Sequence, residues 1–306
     1  MKKTLLSLLL VPFFGISQNQ FSFGFDGTTA AMLSAGWQST NQSSPSTTSL
    51  WTIASYTTPL TNPLFGSGNT TTVPVGQAGG NNSFALVNYT STTGAGTISN
   101  WLITPDITVQ NGDVVTFYSR KGTDGTIDYP DRLELRMSTA TTTVIPSGGS
   151  SGLGSFTTVC TTVNPSLLGG FVYPKAWTQY SYTVSGLAGP TSVKFAFRYF
   201  VTNGGPSGAN SDIIGIDTFS VDRTLSSDSF FKNNFSVYPN PVTNVLNISM
   251  KNEMIINNLS ITDLNGRVVS SSDSSTSIDV SNLSPGVYFI SIETYEGKGT
   301  SKFVKN

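Results

Sequence analysis

The side chains that usually carry chemistry are scarce in this 306-residue chain. It has no histidine. The commonest general base, zinc ligand and triad partner is therefore missing. A single cysteine, Cys160, permits no intrachain disulfide. Without a histidine beside it, Cys160 is a poor nucleophile, and a half-buried strand position is its expected role. Asp131 and Glu134 are the closest acids on one readable strand. Their spacing of three puts them on opposite faces. Glu134 shares its own face with Arg132 and Arg136, which predicts a surface ion cluster. Neighbouring cations lower a carboxyl pKa, the wrong direction for a general acid. A glycosidase needs two carboxyl groups about 5–10 Å apart across one cleft, and no pair close in sequence offers that. The phosphate-binding glycine loop and the zinc-protease helix motif are absent, and Asp124-Gly125 with Asp128 lacks calcium-loop spacing. The chain is expected not to be an enzyme.

The elements that would hold any site are strands. Between Gln18 and about Leu225, short alternating runs are separated by clusters of Gly, Pro, Asn and Ser, with no helical period. Leu133, Leu135 and Met137 alternate with Arg132, Glu134 and Arg136. Val193, Phe195, Phe197, Tyr199 and Val201 form a second face. Ile214, Ile216 and Thr218 form a third, with Asp217 and Phe219 opposite. Ser39–Ser49 and Thr57–Thr72 are rich in Ser, Thr and Asn and read as surface loops. The expected architecture is all-β: a jelly-roll β-sandwich of ten to twelve strands, followed by a small immunoglobulin-like β-sandwich.

Charged residues make up only 11% of the chain, with 16 Lys+Arg against 17 Asp+Glu. No basic stripe invites nucleic acid, and no polybasic segment invites an anionic membrane surface. Met1-Lys2-Lys3, the apolar run Thr4–Phe14 and the small residues Gly15-Ile16-Ser17 are expected to form a signal peptide over residues 1–17. The run is too short to span a bilayer, which takes about twenty residues, so no transmembrane span is expected. No cysteine follows it to carry a lipid anchor.

The last seventy or so residues hold several ordered motifs. The stretch opens with Phe235-Ser236-Val237-Tyr238-Pro239-Asn240-Pro241. Next comes Leu259–Val269, with Asp263 before the turn dipeptide Asn265-Gly266, where both central residues are expected at positive φ. Leu283-Ser284-Pro285-Gly286-Val287-Tyr288-Phe289-Ile290 follows, and the chain ends Lys302–Asn306. Residues 235–306 resemble the type A C-terminal sorting domain of the type IX secretion system of Bacteroidota. That resemblance implies export to the outer-membrane cell surface or release. Its implied partners are the translocon and a surface sortase that removes the tail. Tyr238, Pro239, Asn240, Pro241, Asp263, Gly266, Gly286 and Tyr288 carry the motif. Residues 226–234 are expected to be a linker.

The larger region, 18–225, has its own ordered blocks. They are Phe23-Gly24-Phe25-Asp26-Gly27, Gly36-Trp37, Asn81–Val87, Asn100-Trp101-Leu102-Ile103-Thr104-Pro105, Asp131–Leu135 and Ile214–Val221. In this order they resemble a choice-of-anchor J domain, related to cleaved adhesin domains. The resemblance implies a jelly-roll adhesion or accessory module with a structural calcium ion, whose ligands would be Asp26, Asn82 and Asp217. The relatives often place a second acid after the one at Asp217, whereas this chain has Thr218. Trp37 and Trp177 are expected in core or rim packing. Tyr129, Tyr173 and Tyr180 lie near turns, where a tyrosine could stack on a sugar ring. The expected function is non-catalytic binding of a glycan or protein ligand by a secreted or surface-displayed protein. The alternative is a structural component of the surface or matrix without a discrete ligand, and a hydrolase is the more remote reading.

Overall fold

The computed structural model describes residues 17–60, 65, 70–79, 83–122, 127–224, 227–251, 254–273, 275–295 and 297–306. Residues 1–16 of the expected signal peptide, Asn82 and the Asp124-Gly125 turn lie outside these. The chain divides into two compact units, with a sequence boundary between Arg223 and Thr224. No helix among the described residues is long and apolar enough to cross a membrane.

The first unit is built from β1 (Ser17–Phe23), α1 (Thr29–Ser34), β2 (Gln38–Asn41), β3 (Thr52–Ser55), β4 (Ser83–Asn88), β5 (Gly96–Ile103), β6 (Ile107–Val109), β7 (Val114–Lys121), β8 (Leu133–Ser138), β9 (Thr158–Val163), β10 (Thr178–Thr183), β11 (Thr191–Gly204) and β12 (Ile213–Thr224). One six-stranded sheet runs β10-β7-β12-β4-β3, with β1 also on β12. The other runs β2-β5-β11-β8-β9, with β6 also on β11. From β4 to β12 the chain crosses repeatedly between the sheets, which is the jelly-roll pattern. The inner faces meet in one core containing Trp37, Phe117, Leu135, Phe197, Ile216 and Phe219.

The helix α1 was not readable from periodicity, because six residues make less than two turns. Its signal is local: the Thr28 hydroxyl accepts the Ala31 N–H at 3.1 Å, an N-cap that satisfies one orphan donor. The outer face of the second sheet also departs from the expected pattern. All six residues of β8 are buried, as are the last six of β5. The segment between β8 and β9 explains this, because Phe156 seals a second small core over Trp101, Ile103 and Ala196. Alternation in sequence reports which side of a sheet faces the main core. It does not report whether a loop covers the other side.

The second unit holds α2 (Ser227–Asn234), β13 (Phe235–Tyr238), β14 (Val245–Met250), β15 (Ile256–Thr262), β16 (Val268–Ser272), β17 (Ser277–Asp279), β18 (Gly286–Thr294) and β19 (Lys298–Lys305). A three-stranded sheet, β13-β14-β17, faces a four-stranded sheet, β16-β15-β18-β19. The segment 226–234, expected as a linker, is corrected by α2. Phe230 and Phe231 are buried in the same core as Leu246, Ile261, Ile290 and Phe303. Two adjacent aromatics in an otherwise polar run were the available signal, since burying such rings removes a large apolar area from water.

Candidate functional site

Four features of the first unit could carry function: an acidic pair, two buried ionic clusters and a groove.

The acidic pair is Asp26 and Asp217. Strand β1 pairs with β12, which brings the segment after β1 towards Asp217. Asp217 lies on β12, where the register with β7 shifts between Asp217 and Ser220. Thr218 sits in this bulge at φ 49°, a conformation that is a genuine outlier for a β-branched residue. The bulge breaks the expected alternation. Phe219 joins Ile214 and Ile216 in the main core, while Thr218 is only half-buried. Phe25, beside Asp26, is also left-handed at φ 51°. Strain of this kind persists only where the surroundings enforce it, and here it flanks both acids.

Asp217 is fully buried. Its Oδ2 accepts from the Gln77 N–H at 2.6 Å and the Ala78 N–H at 3.3 Å, and its Oδ1 accepts from the Thr218 N–H at 2.7 Å. The next residue in that loop, Gly79, has φ +91°, and a Cβ there would meet Asp26 Oδ1 at 2.2 Å. One short loop thus packs on both carboxylates, and only glycine fits at position 79. Burial pushes the Asp217 carboxyl up to about 6; the three amide donors oppose this, and the charge on Asp26 adds to it. The Gln77 amide oxygen lies close by, accepting the Thr218 hydroxyl at 2.7 Å. Calcium takes six to eight oxygens. Among the described residues, no three acidic, cysteine or histidine groups surround a common point. The pair therefore suits a cation in charge and supplies only part of its shell. Asn82, the third expected ligand, lies outside the described residues. Gln77 was missed, since nothing in its local sequence separates it from the other loop amides.

Glu134 and its arginines form one ionic cluster, and it is not the surface cluster that the sequence suggested. Glu134, Arg136 and Arg198 are all nearly buried. Glu134 Oε2 accepts from Arg136 Nε at 2.7 Å and from Arg198 Nη1 at 3.1 Å. Arg198 lies 5.0 Å from the centroid of Trp101 and 3.6 Å from that of Phe200. Burial alone would raise the Glu134 carboxyl, but the hydrogen bonds and charges of Arg136 and Arg198 outweigh it and hold it below its usual range. That group remains ionised and is no proton donor. Cys160 is equally quiet, because burial pushes its thiol up to about 12.

A second ionic cluster joins the two sheets. Lys121 and Asp131 are fully buried, and Lys121 Nζ lies 2.6 Å from Asp128 Oδ1 and 2.9 Å from Asp131 Oδ2. Burial, with the charge of Asp131 next, pushes the nearby Asp212 carboxyl up to about 6.

The aromatic candidates divide. Trp37 is in the core, and Trp177 is half-buried, with its Nε1 donating to the Val75 carbonyl at 3.0 Å. Tyr173 is buried and bonded to Ser119, so it offers no ring to a sugar. Tyr129 is exposed and Tyr180 half-exposed.

The groove encloses about 410 Å³ beside α1, β3 and β4, and its lining includes Thr29, Leu33, Thr48, Ser49, Leu50 and Asn88. No charged residue lines it. Trp51 forms part of its floor, buried with its Nε1 donating to the Asn100 carbonyl at 3.2 Å. Leu33 and Leu50 are exposed.

In the second unit the motif residues act mainly on the backbone. Tyr238, Pro239, Asn240 and Pro241 are exposed. Asn240 Oδ1 accepts the Val304 N–H at 2.9 Å, and the Val242 N–H donates to the Val304 carbonyl at 2.8 Å, so the motif clamps β19. Asp263 Oδ1 accepts the N–H groups of Asn265 and Arg267. In that turn only Gly266, at φ 78°, is left-handed. The loop is therefore longer than the two-residue turn expected from Asn265-Gly266. Gly286 opens β18, and Tyr288 donates to the Ser284 carbonyl and stacks on Phe303 at 5.8 Å.

Residues 236–306 match the family described as the secretion system C-terminal sorting domain. The chain thus carries a type IX sorting domain at its C-terminal end and is exported to the cell surface or secreted. No curated protein matches the chain by sequence. Among solved structures, the chain is similar to the K1 cleaved adhesin domain of Lys-gingipain from Porphyromonas gingivalis W83, at 17% identity and TM-score 0.39 over 68% of this chain and 99% of that one. The K3 cleaved adhesin domain of the same protein gives 14% identity and TM-score 0.39 over 67% and 99%. A family 11 carbohydrate-binding module from Clostridium thermocellum gives 11% identity and TM-score 0.31 over 62% and 90%.

Proposed function

We propose that this chain, exported through its C-terminal sorting domain, presents its first sandwich outside the cell as a non-catalytic module that binds a neutral polar ligand of the glycan class. The observation that carries this reading is the uncharged groove. Its hydroxyls and the Asn88 amide suit sugar hydroxyls, and exposed Leu33 and Leu50 suit the apolar face of a sugar ring. Such sites are concave and largely preformed, with a few convergent polar groups. The Glu134 carboxylate is committed to the buried guanidinium groups of Arg136 and Arg198, which leaves it no free acid for hydrolysis. Translocon and surface sortase are the proposed partners of the tail.

A structural calcium ion belongs to the same proposal. The repelling carboxylates of Asp26 and Asp217 under the 77–79 loop support it. These two residues would hold the ion, with Asn82 from the adjoining segment. Its role would be to neutralise the pair and pin that loop. At millimolar calcium, an extracellular site of ordinary affinity adds about 0.4–1.4 kcal/mol.

The test is a glycan and matrix-protein array probed with the purified chain, in calcium and in chelator, beside Leu50→Asp and Asn88→Ala variants. Saturable glycan binding lost in both variants supports the groove. Binding unaffected by either variant removes the groove, and no binding by a folded chain favours a structural surface role. A melting temperature that ignores calcium in the wild type, as in Asp217→Asn, removes the metal.

A further inference from the structure

The Lys121 cluster has a geometry that an ion pair does not require. Lys121 ends β7 in one sheet, and Asp131 lies two residues before the start of β8 in the other. Both side chains are fully buried, and the ring of Tyr199 beside them is buried as well. The two oxygens of Asp131 are treated differently. Oδ1 accepts the Tyr199 O–H at 2.5 Å and the Asp212 N–H at 2.9 Å. Oδ2 accepts no hydrogen bond of acceptable geometry, although Lys121 Nζ lies 2.9 Å from it. Nζ approaches this oxygen off the hydrogen-bond direction and donates instead to Asp128 Oδ1 at 2.6 Å and to the Tyr129 carbonyl at 2.5 Å. A buried carboxylate oxygen without a hydrogen bond is costly. Two donors aimed at one carboxyl oxygen, with an amine beside the other, are the parts of an acyl-transfer site.

We propose that Lys121 and Asp131 form an intramolecular isopeptide bond that joins the two sheets of the first sandwich. Asp128 takes a proton from Nζ and passes it to Asp131 Oδ2, so that a neutral amine faces a neutral carboxylic acid. Burial lowers the Lys121 pKa, but the charges and hydrogen bonds of Asp131 and Asp128 outweigh it and hold the ammonium above its usual value, so the neutral pair is the minor, reactive form. Near-attack geometry places reacting atoms about 3–3.5 Å apart, and the carboxyl carbon is one bond beyond Oδ2. Nζ attacks Cγ, the C–N bond forms, and the C=O electron pair moves to Oδ1. The Tyr199 O–H and the Asp212 N–H stabilise the charge that collects there. Asp128 relays a second nitrogen proton to Oδ2, the C–Oδ2 bond breaks, and water leaves. One ammonium and one carboxylate become one amide and one water, with no oxidant or co-reactant. The product exchanges a buried charge pair for a neutral amide and closes the loop 122–130, protecting an extracellular fold that has no disulfide.

The test is intact-mass and peptide mass spectrometry on the purified full chain. The wild type is expected to lie below its sequence mass by one water and to yield a branched peptide joining the Lys121 and Asp131 segments. Succinimide formation at Asp26-Gly27 or Asp124-Gly125 also loses water, so the branched peptide decides. Lys121→Arg is expected at full mass. Asp131→Asn, if it reacts, loses ammonia in place of water. Asp128→Asn and Tyr199→Phe are expected to fold, by thermal melt, with less of the branched peptide. Linear peptides cleaved after Lys121, from a wild-type chain shown to be folded, would overturn the proposal. Equal branching in the wild type and in Asp128→Asn would overturn the assigned relay.

Discussion

The first sandwich buries charge, whereas the sorting domain buries almost none. Lys121, Asp113, Asp131, Glu134, Arg136, Arg198 and Asp217 all lie inside the first unit. In the second unit, among the described residues, only Lys305 is a buried charge. The core of the second unit is aliphatic and aromatic, and its polar motif residues hold turns and a strand end by backbone hydrogen bonds. A buried ion pair is weak evidence for stability, since desolvation offsets the attraction, but removing one partner is severe. A core of aliphatic side chains fails gradually, in proportion to the volume lost. The first unit therefore adds buried charges to its apolar core, whereas the second rests almost wholly on apolar volume.

The largest effect that would test this contrast is functional. Deleting residues 236–306 is expected to leave the protein in the periplasm of its native host, read by immunoblot of cell fractions. Normal surface exposure of the truncated chain would separate the tail from export. The next largest concerns buried charge. Glu134→Ala leaves Arg136 and Arg198 without their counter-ion and is expected to cost about 3–5 kcal/mol in denaturant unfolding. A loss no larger than that of a surface substitution would show that the cluster is solvated. In the tail, Phe231→Ala is expected to cost about 3–5 kcal/mol, confined to the unfolding of the second unit. An unaffected transition would return residues 227–234 to the status of a linker. Gly266→Ala places a side chain at φ 78° and is expected to cost about 1–2 kcal/mol.

The smallest expected effect is a pH dependence. The folded Asp212 carboxyl is raised to about 6, above its unfolded value near 4. Its contribution is therefore complete below about pH 4 and is lost as pH rises through about 6. Burial is the largest cause of that rise; the charges of Asp131 and Asp128 add to it, while Lys121 and the Ile213 backbone amide oppose it. Asp212→Asn is expected to reduce the pH slope of the melting temperature of the first unit between those values, leaving the share of Asp217, which is also raised to about 6. An unchanged slope would assign the titration elsewhere.

Much of this molecule was readable from local chemistry. The β-class and the inner faces of β8, β11 and most of β12 follow from short-range rules, period-two alternation and turn dipeptides, while the sorting tail was legible through the resemblance of its ordered motifs to a known family. Those rules work because each strand must offer one apolar face whatever lies opposite. The sorting motifs are local too, since Asp263 and Gly266 act within their own turn and Tyr288 bonds four residues away. Tertiary structure alone decided the rest. It covered the outer face of β5 and β8, which turned a supposed surface cluster around Glu134 into a buried one. It docked Phe230 and Phe231 into a core, bulged β12 so that Thr218 left the expected face, and set Lys121 against Asp131 across two sheets. Each of these depends on what a distant segment places beside a residue. A side chain's burial and the worth of its charge are set by that neighbour, and no local pattern in the sequence encodes it.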